Sequence, residues 1–357
     1  MHRKDHYGLK VSPRRVTGPG DLPRRSLTMK RRTLGASLLA AGTLPLFAIR
    51  GSAQEVRTLR IGSALDPQHP ILVGARHMAE VAEKESGGKL KINLFPSSQL
   101  GAQREMWQNV QAGVLDGIID ASASMVTFIP QFGVLDLPYL VQDEAAAFRL
   151  LDGPVVEEEL VRRAATSGFR VVNFWEVTFR NIYTRSKAVN AVDDLRGLKI
   201  RVIPNPSFIA LFRGLGAAPT PMALGEVYTA LQQGVLDGAE NDNVTFLSSR
   251  HLEVAKNLAI TNHMMLVNTF VMSERGWNRL PEELKAVMRK ASLEGRKAVM
   301  EDRHKRDVSA MDQIKAAGVN VTQPDLAPFR EVGRKTYTQF EERLGKPLVD
   351  RIVTAVG

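Results

Sequence analysis

Two hydrophobic periods divide the chain after residue 57. Thr58–Ala64 (TLRIGSA) and Leu90–Phe95 (LKINLF) alternate apolar and polar positions, as half-buried strands do. Between them Ile71–Ser86 carries apolar residues at helical spacing until Gly87-Gly88 stops it. The N-terminal part therefore reads strand, helix, strand, helix, strand, which predicts a parallel α/β sheet. Phe169–Trp175, Leu198–Ile203, Ala217–Pro221 and Asn262–Met272 read as further strands, and Pro204-Asn205-Pro206-Ser207 opens another helix. From Pro281 to about Ala317 one helical pattern persists, with Leu284, Val287, Met288 and Ala291 on a single stripe. At 1.5 Å per residue it would run roughly 50 Å, longer than one lobe, with a bend at Gly295 as the alternative.

One segment occurs twice. Val110–Gly117 reads VQAGVLDG and Leu231–Gly238 reads LQQGVLDG, with six of eight positions identical. Each copy follows a helical run, Arg104–Ala112 or Glu226–Gln233, and precedes an apolar stretch. Gly113 and Gly234 stand where a helix would end in a left-handed residue. Either this is one helix–turn–strand unit used in two similar lobes, with a ligand cleft between them, or a helix stop that recurs without kinship.

Charge alters the picture only at the N-terminus. The formal charge of +10 would suggest nucleic acid or membrane if it were spread evenly, but residues 1–53 hold 11 Lys+Arg against 2 Asp+Glu. The remainder has 37 basic and 36 acidic residues, so a nucleic-acid partner is not expected. Met29-Lys30-Arg31-Arg32, apolar Leu34–Ala48 and Gly51-Ser52-Ala53 have the order of an export signal, with cleavage before Gln54 and Met29 as the start. Arg31-Arg32-Thr33-Leu34 resembles the twin-arginine signal and equally fits an ordinary basic region. No later stretch has the roughly 18 apolar residues of a membrane span. There is no cysteine, hence no disulfide, thiolate nucleophile or cysteine metal site.

Enzyme chemistry finds little support. Gly214-Leu215-Gly216-Ala217-Ala218 follows a helical run instead of a strand, so it is not a dinucleotide loop. His69, His77, His251, His263 and His304 lack metal-site spacing, and there is no Gly-x-Ser-x-Gly elbow. No metal or cofactor is expected. Arg201 is more informative. Alternation puts it opposite Leu198, Ile200 and Val202, just before its strand ends at Pro204. A guanidinium there is either a carboxylate fork facing a crevice or a solvated edge residue. Arg180 has the same ambiguity, with Phe174, Trp175 and Phe179 as apolar walls or core. Asn241 offers an amide to a ligand or caps the following helix.

The strings DLRGLKIRV from Asp194, GAAPTPMALGEVYTALQQGVLDGAEN from Gly216 and HLEVAKNLAITNHM from His251, with Phe95–Gly101 and Leu137-Pro138-Tyr139, resemble TRAP transporter solute-binding proteins of the DctP type. The likeness spans the chain after the leader. It implies a two-lobed α/β periplasmic-binding-protein fold bridged by the long helix, with 54–178 plus 265–305 in one lobe and 179–264 plus 306–357 in the other. It implies a monomeric receptor that delivers an organic acid to an ion-gradient-driven permease. Arg201 would clamp the carboxylate, assisted by Arg180 and Asn241, with Trp175, Glu240 and Phe208 completing the site. Polar or acidic positions of the family's sialic-acid binders fall on Ala64, Gln103 and Ala121, which implies a smaller or less hydroxylated ligand. The rival readings are an exported enzyme and a ligand-sensing module on the same scaffold. The export reading predicts that N-terminal sequencing of the secreted protein begins near Gln54. An intact leader in the membrane fraction would refute it.

Overall fold

The computed structural model describes residues 56–356, so the leader and its cleavage point lie outside the described residues. Among the described residues eleven strands form two sheets. β1 (Arg57–Gly62), β2 (Leu90–Phe95), β3 (Gly117–Ala121), β4 (Phe169–Phe179) and β10 (Met265–Ser273) build the first, in the order β2-β1-β3-β10-β4. The second contains β5 (Asn181–Thr184), β6 (Lys199–Val202), β7 (Ala218–Pro221), β8 (Gly238–Asn241), β9 (Asn257–Ala259) and β11 (Asn320–Thr322), in the order β11-β9-β5-β8-β6-β7.

The expected parallel sheet is only partly present. β1 is parallel to β2 and β3, but β10 enters antiparallel between β3 and β4. The second sheet repeats the plan: β6 is parallel to β7 and β8, while β5 lies antiparallel between β8 and β9. The antiparallel strand arrives from the other sheet each time. β4 leads through Arg180 into β5, and β9 leads through residues 260–264 into β10. These crossing segments pair with each other: Arg180 N–H donates to the Met264 carbonyl at 2.9 Å, and His263 N–H donates to the Arg180 carbonyl at 3.1 Å. Asn262 to Met264, expected as strand, therefore belong to the crossing, and Asn262 takes φ +41°.

The repeated octapeptide has the same structural role in both sheets. Gly113 and Gly234 each adopt φ 76°, ending the helices Gln103–Ala112 and Val227–Gln232. Val114 and Val235 face solvent, whereas Leu115 and Leu236 are buried. Asp116 Oδ2 then accepts the Arg60 N–H at 2.8 Å, and Asp237 Oδ2 accepts the Lys199 N–H at 2.8 Å. Each carboxylate thus fixes the neighbouring parallel strand. The Asp116 carbonyl accepts from Ser273 N–H and the Asp237 carbonyl from Arg185 N–H, both at 2.9 Å, which fixes the antiparallel neighbour as well. One sequence unit sets the register of two sheets.

The long helix runs without interruption from Glu282 to Ala316, with Pro281 as the residue before its first turn. Leu284, Met288, Ala291 and Val299 enter the core under the first sheet. Ile314 enters the core of the second, beside Tyr183 and Leu258. Gly295 is a close-approach position: a Cβ on Gly74, in the helix Pro70–Glu85, would lie 2.5 Å from the Gly295 carbonyl oxygen and 2.3 Å from Val299 Cγ2.

The C-terminal helices depart from the expected division. Phe329, in the helix Leu326–Lys335, packs with the second sheet's core, but Phe340, Leu348, Val349 and Ile352 pack into the first sheet's core with Phe132 and Leu135. Assigning 306–357 wholly to the second lobe is thus corrected, because the apolar faces of the last two helices are buried against the first.

The helix crossing yields a stability prediction. Gly74→Ala should cost about 1–3 kcal/mol by overpacking, despite alanine's better helix propensity, and lower the melting temperature by several degrees. Gly225→Ala, where an added Cβ meets nothing within 4 Å and φ is not left-handed, should change it little. Equal melting of the two variants in calorimetry would contradict the close crossing.

Candidate functional site

The strand ends of the two sheets face one another across a small cavity of about 30 Å³. β3 contributes Asp120 and Ala121, β6 contributes Arg201, and β8 contributes Asn241. Arg180 enters from the crossing, Thr245 from the helix Asn243–Ser248, and Asn268 from β10. A volume of 30 Å³ holds about one or two waters, so the lobes are closely apposed here. A neighbouring cavity of about 540 Å³ shares Leu224 and is lined by Ala64, Ser97, Ser98, Tyr228 and Arg250.

Arg201 lies where alternation placed it. Ile200 and Val202 fill the core, and Arg201 points the other way into the cavity. It is only 2% exposed, which rules out the solvated-edge reading. Its Nε donates to the Met222 carbonyl at 2.9 Å, and no carboxylate among the described residues forms an ion pair with it. Burial lowers its pKa to about 10, with Arg180 adding to that effect and Glu240 and Asp120 opposing it. The four N–H donors of its two Nη groups are uncommitted. A buried cation without a counter-charge is costly, so this geometry favours an anion.

Arg180 is the opposite case. Its Nε donates to Glu240 Oε2, and its Nη2 donates to Glu240 Oε1 at 2.7 Å and to the Glu240 carbonyl at 2.6 Å. Nη1 donates to Asn241 Oδ1 at 2.9 Å, so four of the five donors are taken. The guanidinium also stacks 5.3 Å from the Phe208 ring. Burial alone would raise the Glu240 pKa, but Arg180 and His263 outweigh it and hold the carboxylate ionised. Glu240 and Phe208 are wholly buried against Arg180 and lie outside the cavity lining.

Asn241 lines the cavity, and the capping alternative falls to its neighbour. Asp242 Oδ1 accepts the Thr245 N–H at 2.9 Å as the N-cap of the next helix. Trp175 must be corrected. It is fully buried beneath the first sheet, its indole N–H donates to Ser292 Oγ at 2.9 Å, and its ring lies 5.7 Å from Phe270. Phe174 is core as well, in a separate cluster. Consecutive strand residues face opposite sides, and both sides of β4 are covered here. Among the described residues no group of three or more His, Asp or Glu side chains is placed to hold a metal ion.

Several lining residues escaped the sequence reading. Asp120 is 2% exposed and accepts from Gln103 Nε2 at 2.8 Å and Trp107 Nε1 at 2.9 Å. Gln103 Oε1 in turn accepts the Leu224 N–H at 3.2 Å, a hydrogen bond that spans the cleft. A second cross-cleft contact joins His69 Nε2 to Thr245 Oγ1 at 3.2 Å. The duplicated segment held a signal for Asp120: it lies three residues after Gly117, as Asn241 lies three after Gly238. Ala121 lines the small cavity and Ala64 the neighbouring one.

Comparison with known proteins agrees with this architecture. Residues 61–343 match the model of bacterial extracellular solute-binding protein, family 7 (DctP). A solute-binding protein of Verminephrobacter eiseniae is 32% identical over 335 residues, covering 94% of this chain and 98% of that protein. The sialic acid-binding periplasmic protein SiaP of Vibrio cholerae is 31% identical, covering 90% and 99%. The crystal structure of the sugar acid binding protein DctPAm of Advenella mimigardefordensis with galactonate superposes with a TM-score of 0.82 at 29% identity, covering 85% of this chain and 98% of that one. Family members are solute-binding receptors of TRAP transporters that take organic acids. The two sheets, the strand ends turned toward each other, the long bridging helix and this match over most of the chain have one consequence: the protein belongs to the bacterial extracellular solute-binding proteins of family 7.

Proposed function

We propose that this protein captures an organic acid in the periplasm by clamping its carboxylate on Arg201 and hands it to an ion-gradient-driven TRAP permease. The observation that carries the reading is a buried guanidinium with no protein counter-ion and two Nη groups turned toward the cleft. Its planar fork matches a carboxylate in two parallel hydrogen bonds. Asn241 and the remaining Nη1 donor of Arg180 sit beside it to bond the same ligand end. Ala64 and Ala121, in place of longer polar side chains, favour a compact ligand or one with few hydroxyls on the first-lobe side.

Ligand capture on this reading is a closing motion. The bonds from Gln103 to Leu224 and from His69 to Thr245 exist only when the lobes meet. A ligand touched from both sides shifts the equilibrium toward that form. Small-angle scattering should show a smaller radius of gyration with saturating ligand than without, and an unchanged radius would count against closure.

A thermal-shift screen of sugar acids, hydroxy acids and 2-oxo acids identifies the ligand, since native-state binding stabilises by mass action. Removing one partner of a buried charge pair costs about 2–5 kcal/mol, so Arg201→Ala should weaken binding about 30- to several-thousand-fold. Arg201→Lys keeps the charge but not the fork and should restore only part of the loss. Calorimetry on the folded variants decides it: binding by Arg201→Ala within about threefold of wild type, a difference under 0.7 kcal/mol, would remove the arginine from the site.

A further inference from the structure

The charges around the cavity limit what it can accept. Arg180 and Arg201 are the only basic residues among its lining side chains. Glu240 already neutralises Arg180 through both carboxylate oxygens. Asp120 adds a carboxylate that faces the same space and acts electrostatically on Arg201. The rest of the lining is neutral, with Leu65, Ala121, Ile203 and Leu266 on its apolar side. One cation, Arg201, is left for the ligand. We propose that the cleft selects acids with a single carboxylate and that Asp120 is the residue that rejects a second one.

The hydrogen bonding fixes Asp120 as an acceptor at both oxygens. The Leu224 N–H must meet the oxygen of the Gln103 amide, which turns the amide nitrogen to Asp120 Oδ1. An indole N–H is a donor only, so Trp107 fills Oδ2 in the same sense. Burial pushes the Asp120 pKa up, and the bonds from Gln103, the Ala121 amide, Trp107 and Ser124 oppose that shift. A second ligand carboxylate reaching the first lobe would meet two acceptor oxygens where burial already disfavours negative charge.

The surroundings are already rich in acids. Behind the lining, Glu176 accepts from Asn268 at 2.6 Å, Asp242 accepts from Thr245 at 2.7 Å, and Asp136 accepts from Asn205 at 2.7 Å. Burial raises Glu176 to about 8 and Asp136 to about 7. Negative charge is therefore disfavoured here even within the protein. In the neighbouring cavity Arg250 is exposed and paired with Glu253 at 2.7 Å, so it supplies no ready counter-ion for a distal carboxylate.

This inference rests on the carboxylate reading above, and the test separates the two. The probes are matched pairs differing only by oxidation of the terminal CH2OH: erythronate with meso-tartrate, and galactonate with galactarate, alongside the tightest hydroxy acid from the screen and its diacid. In calorimetry on the mature protein at pH 7.5, the monoacid should bind at least about tenfold more tightly than its diacid. Asp120→Asn, which keeps the shape and removes the charge, should reduce that ratio at least about fivefold, chiefly by tightening the diacid. Wild-type protein that binds the diacid as well as the monoacid would overturn the inference, with no variant required, and would leave Arg201 as the carboxylate clamp. An unchanged ratio in folded Asp120→Asn would overturn the role of Asp120. A screen in which no acid binds overturns both readings.

Discussion

The buried pair of Arg180 and Glu240 organises the region where the two sheets join. Arg180 is the single residue between β4 and β5, and its backbone pairs with the returning crossing at His263 and Met264. Its side chain turns into the second lobe and binds Glu240 and Asn241 at the end of β8, over the ring of Phe208. One residue therefore fixes the crossing backbone and the strand end that faces the cleft. A buried ion pair of this kind is weak evidence for stability, because desolvation offsets much of the attraction. Its value here is geometric: bidentate contact with Glu240 holds Arg180 in one pose and leaves Arg201 as the cation without a partner.

The duplicated octapeptide supplies the other half of the arrangement. In each sheet a glycine ends a helix, an aspartate pins the neighbouring parallel strand, and the next strand runs to the cleft. The two copies then diverge where they meet the ligand space. Asp120 follows the first and Asn241 the second, each three residues after equivalent glycines. A common frame thus presents an acid on one lip and an amide beside two arginines on the other. The asymmetry sets an acid against two arginines across the cleft, the basis of the orientation proposed above for a carboxylate ligand.

Much of this was legible in the sequence, for local reasons. Leu90–Phe95 was read to the residue, since period-two alternation bounded by Gly88 and Pro96 is a short-range signal. The long helix and the strand-end position of Arg201 are local in the same sense. What escaped depends on distant pairing. Nothing near Met265–Ser273 says that this strand enters the first sheet antiparallel, and nothing near Phe340 says that it packs beside Phe132. Trp175 was misplaced because a strand covered on both sides loses the alternation that separates core from cleft. Asp120 was missed although the repeat pointed to it, because its meaning comes from Gln103 and Trp107 on the preceding helix.

On the function proposed above, closure and recognition follow from one electrostatic imbalance. When the lobes meet, Gln103 reaches Leu224, His69 reaches Thr245, and Arg201 is shut away from solvent. The hydrogen bonds favour that arrangement modestly, about 1 kcal/mol each, whereas burying an unpaired guanidinium opposes it by several. A carboxylate on Arg201 removes the opposition without any change in the hydrogen bonds. The preference for the closed form is then set by whether that one cation is paired. Arg180 is less suited to this part, because Glu240 already pairs with it through both carboxylate oxygens. The fold thus separates an arginine paired with Glu240 at the crossing from one, Arg201, that has no carboxylate ion pair among the described residues.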